Sequence, residues 1–145
     1  MNILHLTLKK PWFDLISSGE KREEYRQPGP WIESRVNPDR SYDLIEFRQG
    51  YGRTRPVVWV EFAGYHHGPG NPAWGAQPGQ TYLVISLGPV WTDFDAFMAS
   101  QKFRCQVCDF EFKADCTEIL GFPVWGCSWC DATMDKLTRI IPSQP

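Results

Sequence analysis

Six charged side chains stand among seven consecutive residues near the start of the chain, Glu20-Lys21-Arg22-Glu23-Glu24-Tyr25-Arg26. A lysine amine held in a cleft away from water is more readily neutral, and it can then act as a base or nucleophile. We therefore take Lys21 and Glu24 as candidate catalytic residues, with Glu24 or Glu61 accepting a proton. The alternative is an exposed strand face whose charges pair with one another.

A second candidate site is the glycine-bearing segment 48–55, which combines arginines with a tyrosine. Such side chains could grip phosphates and stack on a base. Lys9 and Lys10 could extend the basic patch, and Trp74 could form one wall of a base pocket. The alternatives are a solvated hairpin turn and a tryptophan that plugs the side of a barrel. The candidate ligand-binding residues are Lys9, Arg26, Arg48, Tyr51, Arg53, Arg55 and Trp74.

Four of the five cysteines form two Cys-x-x-Cys pairs, Cys105/Cys108 and Cys127/Cys130, separated by eighteen residues. Two such turns provide the tetrahedral four-sulfur ligand set that zinc prefers, and the spacing is typical of zinc sites. The rival is a redox dithiol, which is usually found in a thioredoxin-like βαβ context that this segment lacks. Cys116, between the pairs, is interpreted as a non-ligand.

A zinc ion bound by four thiolates has no open coordination position, so we expect it to be structural rather than catalytic. A segment of about forty residues with few aliphatic side chains needs such a staple to fold. Short strands around Phe112 and Val124 would then form a zinc ribbon. Its aromatic residues either make up a small core or are presented to a protein partner.

These side chains must be positioned by short elements, most of them strands. Alternation or β-branched and aromatic content predicts strands at 2–8, 21–26, 42–48, 57–64 and 81–87. Alternation puts Lys21 and Glu24 on opposite faces of the second strand. Short helices are predicted after Pro11, where Trp12, Leu15 and Ile16 fall on one face, at 31–36, and after Thr92, which fits a capping box with Asp95. This pattern favours a mainly β fold with short helices (α+β), built on a partly closed barrel.

Composition and charge exclude several classes of protein. The net charge is −2, with +1 in residues 1–92 and −3 in residues 93–145, so a non-specific nucleic-acid coat is disfavoured while a local basic patch is allowed. No signal peptide and no membrane span is apparent, and we expect a cytoplasmic protein. The predicted organisation is a barrel at 1–91, a bridging helix at 92–102, a ribbon at 103–138 and a tail at 139–145.

The barrel segment resembles ASCH domains, which belong to the PUA-like superfamily, and most closely the small ASCH proteins of bacteriophages and bacteria. The resemblance covers roughly residues 2–90. It is carried by Leu6–Lys10, Trp12–Ile16, Gly19–Lys21, Glu24–Arg26, Glu46–Arg48, Gly50–Gly52, Trp74–Ala76 and Leu87–Gly88.

The resemblance implies a PUA-like barrel and a role in RNA binding. Some members of the family hydrolyse acetylated cytidine and others cleave RNA. In the amidohydrolase members a Lys follows the helix and a Thr stands three residues later; here Lys21 matches, and Glu24 occupies the Thr position.

Three hypotheses follow. The leading one is binding of RNA or a modified nucleoside in a cleft that includes Lys21, Glu24, Arg26 and the 48–55 loop. The second is a small hydrolase, either a ribonuclease or a nucleoside amidohydrolase, that uses Lys21 and Glu24. The third is an adaptor that binds a protein partner through the ribbon.

Overall fold

The computed structural model describes residues 1–109, 111–113, 115–119, 122–126 and 136–140, with side chains described for 1–109, 111 and 136–140. The described helices are α1 (Lys10–Ser17), α2 (Pro30–Glu33) and α3 (Phe94–Ser100). The first five strands are β1 (Ile3–Leu8), β2 (Glu23–Arg26), β3 (Leu44–Gln49), β4 (Val57–Gly68) and β5 (Tyr82–Trp91). The other five are β6 (Lys102–Cys105), β7 (Glu111–Lys113), β8 (Asp115–Ile119), β9 (Phe122–Gly126) and β10 (Leu137–Ile140).

Residues Ile3–Thr92 form one compact unit built on a single five-stranded sheet. The strand order is β1-β3-β4-β5-β2, with β1 and β3 parallel and the other three pairs antiparallel. Strands β1 and β2 are therefore the two edges of the sheet. The long strands β4 and β5 change register twice, between Val60 and Phe62 and between Phe62 and Tyr65. Such irregularities bend a strand and increase its twist, and this sheet curls into a half-barrel.

The core lies on the inner face of the curled sheet. Alternate residues of β1, namely Leu4, Leu6 and Leu8, point inward and are buried, as the period of two predicts. The short helices close the open side, because α1 contributes buried Phe13 and Ile16 and α2 contributes Ile32. The inner face of the other strands completes the same cluster with Ile45, Phe47, Val58, Val60, Leu83, Ile85 and Leu87.

One side chain connects the two edges of the sheet. Arg26, at the end of β2, donates a hydrogen bond from Nη2 to the backbone carbonyl of Thr7 in β1 over 2.9 Å. An edge strand presents unpaired backbone groups, and here the side chain of Arg26 on one edge strand provides a hydrogen-bond donor for the Thr7 carbonyl on the other. The curled sheet is thus joined through a guanidinium group.

The second unit contains Met1, Asn2 and residues 93–145. Its described strands form a three-stranded sheet in the order β10-β6-β7 and a separate hairpin of β8 and β9. Helix α3 buries Phe97 and Met98. The predicted ribbon core and the predicted ligands Cys127 and Cys130 lie outside the described residues, which lack the side chains of 112–126 and all of 127–135.

The prediction of a mainly β protein with short helices is confirmed, whereas two local details are wrong. The N-cap of α3 is Asp93, whose carboxylate accepts hydrogen bonds from the amides of Asp95 and Ala96; we had expected Thr92 to cap this helix. Strand β2 begins at Glu23 rather than at Lys21. No helix in the described part of the chain is both long and apolar enough to cross a bilayer.

The contact of Gly75 with Trp12 generates a prediction about stability. Gly75 has φ +93°, and a Cβ placed there would lie 2.6 Å from the Trp12 ring. Gly79 has φ +78°, but apart from its own two chain neighbours no heavy atom of the described chain lies within 4 Å of such a Cβ. Gly79→Ala should cost about 1–2 kcal/mol of backbone strain, and Gly75→Ala a further 1–3 kcal/mol or so from the overlap. Urea unfolding of the two variants measures the difference, and equal losses would contradict the packing.

Candidate functional site

The parallel pairing of β1 and β3 brings two predicted binding segments together. Because the two strands are parallel, their C-terminal ends lie side by side, and the amide of Gly50 donates to the carbonyl of Leu8 over 2.8 Å. Lys9 follows β1 directly, and the 48–55 loop begins in the last two residues of β3 and continues beyond its end. These segments are forty residues apart in sequence, but the sheet places both beside the end of β2.

A cleft of about 490 Å³ opens where these segments meet. Its size lies within the usual range of small-ligand pockets. The lining combines four cationic side chains with three aromatic rings and one buried carboxylate. The lining residues are Thr7, Leu8, Lys9, Lys10, Trp12, Glu24, Tyr25, Arg26, Gln49, Gly50, Tyr51 and Arg55.

Glu24 lies between two cations. Its Oε2 is 2.7 Å from Nζ of Lys21, and its Oε1 is 3.1 Å from Nη2 of Arg26. The side chains of Lys21 and Glu24 are only 3% and 7% exposed, while Arg26 is 23% exposed. Buried charges of this kind persist when they are paired, because an unpaired ion away from water is far more costly.

Lys21 lies behind the cleft wall and is not among the lining residues. Its Nζ is 5.0 Å from the ring centroid of Trp12 and 5.3 Å from that of Tyr25, within the range of cation–π attraction. A strand that began at Lys21 would have the side chains of Lys21 and Glu24 on opposite faces. Strand β2 begins only at Glu23, so Lys21 lies outside the strand and its side chain can turn toward Glu24. The carboxylate of Glu24 therefore faces the cleft, with the ammonium group behind it.

Tyr25 forms a fixed wall of the cleft. Its hydroxyl donates to Oε2 of Glu23 over 2.6 Å and accepts from the amide of Asn71 over 2.9 Å. Burial raises the pKa of Tyr25 to about 12, and the hydrogen bond to Glu23 acts in the same direction. The hydroxyl therefore stays protonated at neutral pH and is occupied by protein groups, so the face of the ring is what Tyr25 offers to a ligand.

The 48–55 loop is braced from within by its first arginine. Arg48 pairs with Glu46 at 2.9 Å and donates from Nη1 to the carbonyls of Gly52 and Arg53. The amide of Gln49 bonds to the carbonyl of Pro56 and closes the loop. Tyr51, at the tip, is 89% exposed. A loop that is already ordered by its own hydrogen bonds loses little conformational entropy when a base stacks on its exposed ring, so Tyr51 is well suited to stacking.

The structure brings together only some of the residues predicted from sequence. Lys9, Glu24, Arg26, Tyr51 and Arg55 line the cleft. Four other candidates do not line it: Lys21, Arg48, Arg53 and Trp74.

The reasons for these positions differ. Lys21 supports Glu24, Arg48 braces the loop, and Arg53 is exposed outside the cleft. Trp74 lies half-buried in the 3₁₀ turn Pro72–Trp74, whose next residue, Gly75, packs on Trp12.

Sequence reasoning missed two aromatic walls, Trp12 and Tyr25. Trp12 had been assigned to the buried face of α1, but it is half-buried and its ring reaches the cleft, while Phe13 takes the core position. Its place one turn after the end of β1 was the available signal. For Tyr25 the available signal was its position between Glu24 and Arg26 in β2, since an aromatic ring flanked by charged residues is a candidate wall of a polar cleft.

The first cysteine pair forms a tight turn after β6. The amide of Val107 donates to Sγ of Cys105 over 3.4 Å, and the amide of Asp109 donates to the Cys105 carbonyl over 2.9 Å. Asp109 has φ +58°, the left-handed conformation that completes the turn. Within the described residues, no group of three or more metal-ligating side chains is found. The partners predicted for this pair, Cys127 and Cys130, lie outside those residues.

The chain matches no family model, no curated protein and no solved structure.

The triad of Lys21, Glu24 and Arg26 predicts an asymmetry between two single variants. Glu24→Met leaves Lys21 buried without a counter-ion and should cost about 3–5 kcal/mol of unfolding free energy. Lys21→Met should cost less, because Glu24 keeps Arg26 as its partner. Urea denaturation at neutral pH measures both.

The double variant, with both residues changed to Met, is the matched control. It should be more stable than Glu24→Met alone, because the unpaired ammonium group is gone and Arg26 can reach water. Equal losses in the two single variants, or a double variant that loses their sum, would show that the pairing does not stabilise the fold.

Proposed function

We propose that the cleft binds RNA or a modified nucleoside. The observation that carries this proposal is the combination, in one cleft, of aromatic faces, flanking cations and a central carboxylate. Single-stranded nucleic acids are bound by such a combination: bases stack on rings, phosphates meet cations, and a polar group contacts the base edge. The rings and the cations come from three separate segments, 7–12, 24–26 and 49–55, and the carboxylate comes from the second of them.

The cations lie around the rim of the cleft. Lys9, Lys10 and Arg55 are exposed, and Lys10 also pairs with Asp14 in the same helix at 2.7 Å. An exposed pair of this kind is worth little and exchanges readily for a phosphate partner. Because the whole chain is acidic, this rim is a local attraction rather than a general basic surface.

Glu24 supports recognition of a base rather than of phosphate alone. A carboxylate accepts hydrogen bonds from N–H groups, such as those on the Watson–Crick edges of guanine or cytosine. It repels a phosphate at the same position. A ligand that satisfies the cleft therefore carries its donors at the centre and its negative charge at the rim, as a nucleotide does.

We also propose that residues 1–91 form a PUA-like barrel of the ASCH type. The curled mainly β sheet with short helices is compatible with it, and the proposal rests on the sequence resemblance described above. A second candidate function, hydrolysis of RNA or an acylated nucleoside, is favoured by one contact. Lys21 Nζ lies 2.7 Å from Glu24 Oε2, within the reach over which a base and a nucleophile exchange a proton.

Binding is tested with fluorescently labelled single-stranded RNA by anisotropy. Tyr51→Ala should weaken binding about 5- to 150-fold, the loss of one stacked base. Arg55→Ala should lower the slope of log affinity against log salt by about 0.7 between about 50 and 200 mM salt, one phosphate contact to a single strand.

Arg22→Ala and Tyr51→Phe are the matched controls. Arg22 is exposed but lies outside the cleft, and Phe retains a stacking ring. Binding that is unchanged in Tyr51→Ala and Arg55→Ala would exclude this cleft as the site. Mass spectrometry of the same mixtures tests the second candidate: a cleavage or deacylation product made by wild type and absent with Lys21→Ala would establish a hydrolase.

We further propose that Cys105, Cys108, Cys127 and Cys130 bind a structural zinc ion. The turn around Cys105 and Cys108 supports this proposal. The amide of Val107 donates a hydrogen bond to Sγ of Cys105, which favours a thiolate there, and Asp109 in the left-handed conformation closes the turn after Cys108. Zinc would tie the two cysteine pairs together and supply folding free energy to the second unit.

Metal analysis of the purified protein tests the zinc proposal. Cys105→Ser should lose the bound zinc, whereas Cys116→Ser should retain a stoichiometric amount, because Cys116 is the predicted non-ligand. Removing zinc with a chelator should abolish the protease resistance of the second unit and leave that of residues 3–92 unchanged. Zinc content that is equal in both variants would contradict the ligand assignment.

A further inference from the structure

A second, smaller pocket of about 260 Å³ shares Arg26 with the cleft. It is lined by Arg26, Gln27, Gly29, Pro30, Trp31 and Ile32. Arg26 is thus a lining residue of both pockets and lies at the boundary between them. Gly29 and Pro30 begin the short helix α2 and turn the chain directly after β2.

Trp31 is exposed in this pocket but is held in place. Its side chain belongs to α2, which is anchored through buried Ile32, and Trp31 itself is 55% exposed. The guanidinium of Arg35 lies 4.3 Å from the centroid of the indole ring, and its Nη1 donates to the Trp31 carbonyl over 3.2 Å. The ring is therefore pre-positioned, and a cation lies against it.

Exposed large apolar side chains are few in this unit. Across residues 3–92, all of which are described, only Trp31 and Tyr51 fall in that class. Both are aromatic, and each lines one of the two pockets that meet at Arg26. Two isolated rings on either side of one arginine are poorly explained by folding, because neither contributes to the core.

The guanidinium of Arg26 has hydrogen-bonding capacity to spare. Its Nη2 bonds to Thr7 and pairs with Glu24, and its Nε is buried out of reach of a ligand. The side chain is 23% exposed, so the donors that can face a ligand are those of its terminal amino groups. A guanidinium has five donors in a fixed fork, which suits the oxygens of a phosphate. A phosphate near Arg26 would have one pocket on each side.

We propose that Trp31 is a second base-stacking subsite, so that the ligand is a single strand of RNA at least two nucleotides long. The first base stacks in the cleft near Tyr51, the next stacks on Trp31, and Arg26 faces the phosphate between them. The inference rests on the proposed function of the cleft and specifies its ligand as a strand. Arg35 adds positive charge beside Trp31, and the nearby acid of the same helix, Glu33, is solvent-exposed.

Affinities for mononucleotides and dinucleotides test the inference. The probes are the four ribonucleoside 5′-monophosphates and the corresponding homodinucleotides, with binding followed by NMR titration. Wild type should bind a dinucleotide about 5- to 150-fold more tightly than the monophosphate of the same base, the gain from one further stacked base. Trp31→Ala should remove that gain and leave monophosphate binding unchanged, while Trp31→Phe should keep most of it.

Tyr51→Ala separates this inference from the proposed function, because it should weaken binding of both kinds of probe. Monophosphate binding that depends on Tyr51, together with dinucleotide affinity that is the same in wild type and Trp31→Ala, would overturn the second subsite and leave the cleft intact. If wild type binds no probe, both the second subsite and the binding of unmodified RNA in the cleft are excluded. Deoxydinucleotides that bind as tightly as ribodinucleotides would overturn the assignment to RNA.

Discussion

The buried carboxylate of Glu24 is the point on which the curled sheet and its cleft both depend. Each of its oxygens meets a cation, Lys21 on one side and Arg26 on the other. Removing these charges from water costs several kcal/mol per ion, a cost offset only while all partners stay in place. Arg26 is in turn needed at Thr7, where it joins the two edges of the sheet. A change at Glu24 therefore alters the contact between the two edges of the sheet as well as the centre of the cleft.

The same arrangement explains why the aromatic walls are rigid. Lys21 lies against both Trp12 and Tyr25, so the ammonium group that neutralises Glu24 also holds two rings from behind. Tyr25 is fixed again through its hydroxyl, and Trp12 is backed by Gly75, where a larger residue would collide. Rings held in this way lose little conformational freedom when a ligand stacks on them, so more of the contact energy is retained as affinity.

The sequence predicts the strands well because their signal is local. The alternation of leucines in β1 and the β-branched run at the start of β4 both indicate a strand with one buried face, and in the structure alternate residues of both strands are buried. The cleft is predicted less completely, since it depends on the parallel pairing of β1 with β3 and on where β2 begins. A shift of two residues in that start takes Lys21 out of the strand alternation and places it beside Glu24. Arg48 shows a further limit of sequence-based prediction. The composition of the 48–55 loop indicates that this arginine contacts a phosphate, but its guanidinium donates hydrogen bonds to carbonyls of its own loop.

Glu24 also restricts what the basic rim can attract. The group of Lys21, Glu24 and Arg26 has one acid and two bases, so it keeps one net positive charge. The centre of the cleft therefore presents an accepting carboxylate, and the positive charge lies around it. A polyanion without bases would gain from the rim and be repelled from the centre. The net charge of the whole chain, −2, also opposes a bare polyanion at long range. Affinity must therefore come from groups that enter the cleft and stack, which favours a strand with unpaired bases over a duplex, whose bases are already stacked and paired.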